Sequence, residues 1–299
     1  VQGGTPDVKQ TLAVGCLIGR SRDEVTSTQV TYCRDIVPVL QKHCIECHRE
    51  GEIGPFALDD FDEVVGWADM SLEVIDEGRM PPWHASPEHG SFANSRNMLA
   101  DEKDLLRRWV DAGMPYGDAG DLPPAKQYTD GWRLPAEPDL VIPMSERAFK
   151  VPADGTVEYQ YYVVDPGFTE DKWVKAAEVI PGNASVVHHC IAFTRPPDGF
   201  EFRDIGLLSA FVPGQIRSPL PEGYAQKVPA GSRIVFQMHY TPTGTPTEDV
   251  TRLGLVFADP DEVTHEVFAL GGVEQEFEIP PGAGNFPVKG SINGFPRNG

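Results

Sequence analysis

Cys44, Cys47 and His48, in the stretch KHCIECHREG, place two thiols three residues apart and an imidazole directly after the second. That spacing suits covalent attachment of haem c, with thioethers from Cys44 and Cys47 to the porphyrin edge and His48 on the iron. A structural zinc site would need four ligands and a second Cys or His pair at matching spacing, and none follows. A redox C-x-x-C would open a thioredoxin-type helix after a strand, and no such pattern surrounds these residues.

A six-coordinate haem needs a second axial ligand. Met80, in EGRMPPWHA, is the preferred candidate, because the following prolines enforce an extended backbone and a thioether would raise the reduction potential. His84 is its rival, and Met70, Met98, Met114 and His89 compete more weakly. Met70 falls inside an expected helix, where methionine is more often a core residue.

A second cluster follows about 140 residues later. His188 and His189 lie in SVVHHCIAF and His239 in SRIVFQMHY, so three imidazoles converge if these two strands are neighbours. A ligand set of histidines alone, without carboxylate or thiolate, favours copper or zinc. Consecutive strand residues point to opposite faces, so a regular strand cannot aim both His188 and His189 at one ion. A bulge or strong local twist is therefore expected at this pair. Cys190 is read as a core thiol and His265 as an ordinary strand residue.

The elements that must carry these residues change character near residue 125. Before it, helices are expected from Asp35 to about His43, over LDDFDEVVGWADMSLEVIDEG with Asp60 and Glu63 as a capping box and Gly78 as the stop, and over DEKDLLRRWVDAG. After it the periodicity shortens to two. In SRIVFQMHY, Ile234, Phe236, Met238 and Tyr240 would line one face of a strand and Val235, Gln237 and His239 the other. Similar strands are expected in VEYQYYVV, WVKAAEVI, VVHHCIAF, RLGLVFA, HEVFAL and EQEFEI. The pattern reads as a multidomain chain: an all-α segment, then an all-β antiparallel sandwich.

Composition narrows the function classes. With 45 acidic against 25 basic residues the formal charge is −20, which disfavours a nucleic-acid partner. No apolar run approaches the roughly 18 residues needed for a membrane span. The first residues lack the basic start and apolar core of a signal peptide.

The run TYCRDIVPVLQKHCIECHREGEIGPFALDDFDEVVGWA, followed by RMPPWHASPEHGSFANSR and LLRRWVDAGMP, resembles the monohaem, class I-like cytochrome c domain that some bacterial proteins carry ahead of a copper type II monooxygenase module. Cys33 departs from that pattern, where a small, unreactive residue is expected. VGCLIGR resembles the junction after a redoxin domain. PGNASVVHHCIAF with GSRIVFQMHYTPTGTPTEDVTRLGLVFA is similar to the N-terminal half of the ascorbate-dependent copper monooxygenases, the peptidylglycine α-hydroxylating and dopamine β-hydroxylating group. This resemblance implies a jelly-roll sandwich and assigns His188, His189 and His239 to one electron-transfer copper ion.

The implied organisation is an extension over 1–29 ending a preceding redoxin domain, a cytochrome domain over 30–120, a linker over 121–137, a copper-binding sandwich over 138–285 and an exit segment over 286–299. The family's second copper uses a His-x-His pair and a Met, and no His-x-His occurs here, so no catalytic residue is assigned in this chain. The expected function is a redox relay from haem c to copper, serving a downstream oxygen-activating copper domain and fed by ascorbate or a redox protein. The alternatives are an electron-transfer or copper-binding protein without hydroxylase activity, and a binding module without copper. Covalent haem attachment implies a periplasmic or extracellular location in a bacterium, where a Cys16–Cys33 disulfide is permitted.

Overall fold

A computed structural model of the chain describes residues 29–83, 85–129, 131–199, 205–214, 219–284 and 286–292. Cys16 and His84 lie outside the described residues, so the Cys16–Cys33 disulfide and the rival axial ligand do too.

The N-terminal part holds three α-helices among the described residues: α1 (Val37–His43), α2 (Phe61–Asp76) and α3 (Ala100–Asp111). Asp60 caps α2 by accepting from the amides of Asp62 (2.9 Å) and Glu63 (3.4 Å). Glu63 does not complete a capping box; its carboxylate accepts from the Trp67 indole instead (3.3 Å). Gly78, at φ +72°, ends the helix in the left-handed region. Asp35 does not sit at an N-cap. It lies in a π-helical turn, Tyr32–Ile36, and its carboxylate reaches back to the Thr31 amide (2.8 Å).

The expectation of an all-α, class I-like cytochrome domain is overturned. Strand makes up 24% and helix 19%, and among the described residues no class I all-α domain is evident. The helices have 7, 16 and 12 residues, and irregular segments separate them. Pro81, Pro82, Pro87 and Gly90 fall in the stretch between α2 and α3, where they oppose helix. What holds this part together is a cluster of buried residues around Trp109, Ile36 and Leu40. Tyr32 packs edge-on against Phe61 at 4.9 Å, and the Trp109 indole donates to the Pro115 carbonyl (3.0 Å).

The remainder is built from strands. In chain order they are β1 (Leu140–Pro143), β2 (Phe149–Val151), β3 (Gln160–Val164), β4 (Lys172–Ile180), β5 (Val187–Arg195), β6 (Leu207–Phe211), β7 (Tyr224–Val228), β8 (Arg233–Tyr240), β9 (Thr247–Asp249), β10 (Arg252–Phe257) and β11 (His265–Glu266). They form a five-stranded sheet in the order β1-β10-β4-β7-β11, a four-stranded sheet in the order β3-β8-β5-β6, and a β2-β9 ribbon. The arrangement is not the all-antiparallel jelly roll that the resemblance implies, because β11 pairs parallel to β7.

Alternation along β8 decides how the two larger sheets pack. Ile234, Phe236, Met238 and Tyr240 are at most 2% exposed, and they meet Leu253, Leu255 and Val174 of the opposite sheet in one core. Each such side chain contributes about 1.5–3 kcal/mol by leaving water. The period-two pattern fixes the register, so Gln237 and His239 face outward.

Candidate metal centre

β5 and β8 are antiparallel neighbours, with His189 directly opposite His239. The register shifts between Val187 and His189, which is the irregularity that two adjacent ligand histidines require. The extra residue is His188, and the bulge turns it to the side of its neighbour. One ligand atom from each of His188, His189 and His239 lies within 4.8 Å of the others.

The finer geometry fits a metal. The Nδ1 atoms of His188 and His189 are 3.1 Å apart. Two nitrogens bound to one ion at about 2.0 Å, with an angle between square and tetrahedral, stand roughly 2.8–3.3 Å apart. Nδ1 of His239 is buried and has no hydrogen-bond partner. A buried polar atom without a partner is costly unless something else binds it, and a cation does so. Burial, then the neighbouring histidines, hold the His188 and His189 imidazoles below the ordinary value, so both favour the neutral form that coordinates.

Sequence reasoning missed a fourth ring. Tyr159, just before β3, stacks on His239 at 4.8 Å and 18° and leans on His189 at 5.6 Å. Only its position two residues before an exposed strand tyrosine, Tyr161, could have drawn notice. Cys190 is fully buried, and burial pushes its thiol well above the usual range, so it is a core residue. His265 is exposed and stacked on Tyr224 at 4.4 Å.

The N-terminal cluster forms a compact turn. The amides of Cys47 (3.1 Å) and His48 (3.0 Å) both donate to the Cys44 carbonyl. His48 Nδ1 lies 3.1 Å from the Phe56 carbonyl, which can only accept, so the proton sits on Nδ1 and Nε2 keeps its lone pair. Gly54 closes the loop: a Cβ there would come within 2.8 Å of His48 Nδ1 and 2.5 Å of the Cys47 carbonyl. Cys44 and Cys47 are free thiols, and burial pushes Cys44 up to about 12 and raises Cys47. These residues fit the attachment and ligation of haem. Met80 is 39% exposed on the loop after α2.

Arg96 connects the turn to the sheets. Its Nη2 pairs with Glu46, between the two motif cysteines, at 2.9 Å, and it also donates to the Gly214 carbonyl just beyond β6. A cavity of about 360 Å³ lies beside this contact, lined by Glu46, Arg49, Arg133, Glu178 and Phe211 and not by the three histidines.

No family model, curated protein or solved structure matches this chain. The site therefore stands on its own geometry. Among the described residues no helix is long and apolar enough to cross a membrane, and His188, His189 and His239 are the one group of His, Cys, Asp or Glu side chains close enough to share an ion.

Proposed function

We propose that this chain is a redox protein whose working centre is copper held by His188, His189 and His239. One observation carries the reading: three imidazoles from two neighbouring strands converge at a strand bulge, and the buried Nδ1 of His239 has no protein partner. Imidazole-only coordination suits copper and zinc. Copper is chosen because the same chain carries a turn suited to a second one-electron carrier.

That carrier would be haem c, which Cys44 and Cys47 would attach and His48 and Met80 would hold. Haem iron and copper both supply one-electron redox chemistry. The support from the chain's own residues is the protonated Nδ1 of His48, which leaves Nε2 free. Beside the turn, Arg49 lies over the Tyr128 ring at 4.3 Å, and its Nε and the Tyr128 hydroxyl are buried without partners. Arg96 then ties the turn to the sheet that carries the copper ligands.

In this reading the chain is the electron-transfer part of a copper-dependent monooxygenase. It takes electrons from ascorbate or a redox protein and passes them to a downstream oxygen-activating copper domain, in the periplasm or outside the cell. The test is direct. Protein expressed with haem maturation and loaded with Cu(II) is expected to show an alkaline pyridine haemochrome spectrum and one copper per chain by electron paramagnetic resonance (EPR). Iron without copper reduces the proposal to a haem carrier, and copper without iron reduces it to a copper-binding protein.

A further inference from the structure

The two histidine-bearing strands share a buried anchor on the side facing away from the imidazoles. Tyr240 follows His239 on β8 and so points inward, at 2% exposure. Its hydroxyl donates to Asp249 Oδ2 at 2.9 Å. Asp249, on β9, is 1% exposed. Its other oxygen, Oδ1, accepts from the Asn183 amide at 2.9 Å.

Asn183 leads into β5. Its carbonyl accepts from the amides of Val186 (3.4 Å) and Val187 (3.3 Å), and Val187 is the residue before His188. Its side-chain amide donates to Thr247 Oγ1 at 2.8 Å, holding the turn on β9. Gly182 permits this approach, since a Cβ there would meet the Val250 amide nitrogen at 2.7 Å. One carboxylate is therefore hydrogen-bonded both to the strand that delivers His239 and to the turn that delivers His188 and His189.

A buried carboxylate with hydrogen bonds to both oxygens is held in place by its donors, because leaving either oxygen without a partner is costly. We infer that Asp249 is the positioning residue of the metal centre. Through Tyr240 on one oxygen and Asn183 on the other, it sets the spacing between the His239 imidazole and the His188–His189 pair. This inference rests on the metal reading of the three histidines.

A third donor supplies the control. Thr251 Oγ1 also donates to Asp249 Oδ2, at 2.8 Å, but it leads into β10, which carries none of the three histidines. Tyr240→Phe and Thr251→Val each remove one hydroxyl from the same oxygen, and Tyr240→Phe keeps the ring that stacks on Phe149 at 4.8 Å. The experiment measures the copper dissociation constant, the Cu(II) EPR spectrum and the thermal midpoint for wild type and both variants.

Tyr240→Phe is expected to weaken copper binding about ten-fold and shift the EPR spectrum, as removal of an outer-shell partner does. Thr251→Val is expected to lower the thermal midpoint while leaving affinity within about two-fold and the spectrum unchanged. Wild-type copper binding with both variants alike in affinity and spectrum would overturn the inference, leaving Asp249 a stabiliser of the fold. Wild-type protein that takes up no copper would overturn the metal reading itself.

Discussion

His189 and His239 face each other across the β5–β8 ladder, and the bulge one step before His189 brings His188 round to complete a three-imidazole group. Because the two histidines of β5 are adjacent rather than two apart, a displaced neighbour is what brings both to the face of their cross-strand partner.

Tyr159 covers one side of this group by stacking on His239. Aromatic pairs of this kind contribute about 0.5–1.5 kcal/mol beyond burial. Tyr159→Ala is expected to weaken copper binding roughly 2–10-fold, because the His239 ring loses the surface that fixes its plane. Tyr159→Phe keeps the ring and is expected to bind as wild type does. Competition titration against a chelator of known affinity checks both.

The turn from Cys44 to His48 predicts haem that resists extraction. Acid–acetone treatment is expected to leave haem on the wild-type protein and to strip it when Cys44 and Cys47 are both changed to Ser. Gly54→Ala is expected to lower haem content, since a Cβ would press on His48 Nδ1 and the Cys47 carbonyl. Absorbance of haem relative to protein reads all three.

Glu102 and His43 make stability fall in acid. His43 is held below its ordinary value of 6.5 by burial, with Glu102 opposing. Its unfolded form therefore takes up protons first as pH falls below about 6.5, and stability declines as pH drops toward the lowered native value. Burial alone would raise Glu102, but hydrogen bonds from Lys42 (2.6 Å), the Leu99 amide (2.9 Å) and His43 (3.0 Å) outweigh it and hold the carboxyl below its ordinary value of 4.5. That contribution is complete above 4.5 and disappears as pH falls through the native value. The thermal midpoint is expected to fall on acidification, and Glu102→Gln is expected to shrink the loss below pH 4.5 without abolishing it, because Asp35 and Asp171 are also held below their ordinary values.

Arg96 is expected to couple the helical part to the sheets. Arg96→Ala removes a charged hydrogen bond to the Gly214 carbonyl and the pair with Glu46, a loss of about 1.5–3 kcal/mol. Calorimetry is expected to resolve two unfolding transitions in the variant where the wild type shows one.

Strands with strong alternation were legible in the sequence. β4, β5, β8 and β10 fall where apolar residues recur every second position, and the need for a bulge followed from two adjacent histidines having to serve one ion. β1, β2 and β9 have only 3–4 residues, too few to establish a period, and β7 breaks the pattern by burying Gln226. HEVFAL and EQEFEI were both expected as strands, yet the pairing with β7 ends at Val267, whose amide donates to the Ala225 carbonyl (2.9 Å), and residues 274–279 stay exposed. Periodicity specifies a face, and pairing needs a partner. The place of Met80 in the chain carries no information on its distance from His48. Alternation placed Tyr240 on the inward face, but nothing pointed to its pairing with Asp249, because a hydroxyl and a carboxylate nine residues apart carry no mark of the hydrogen bond between them.

The most direct test of the central claim is copper K-edge X-ray absorption on dialysed, copper-loaded protein, comparing wild type with His239→Ala. The account predicts one retained copper per chain with three imidazole scatterers at about 2.0 Å in the wild type, and two imidazoles with sharply weakened retention in the variant. Wild-type protein that loses its copper on dialysis, or that shows fewer than three imidazoles, would contradict it.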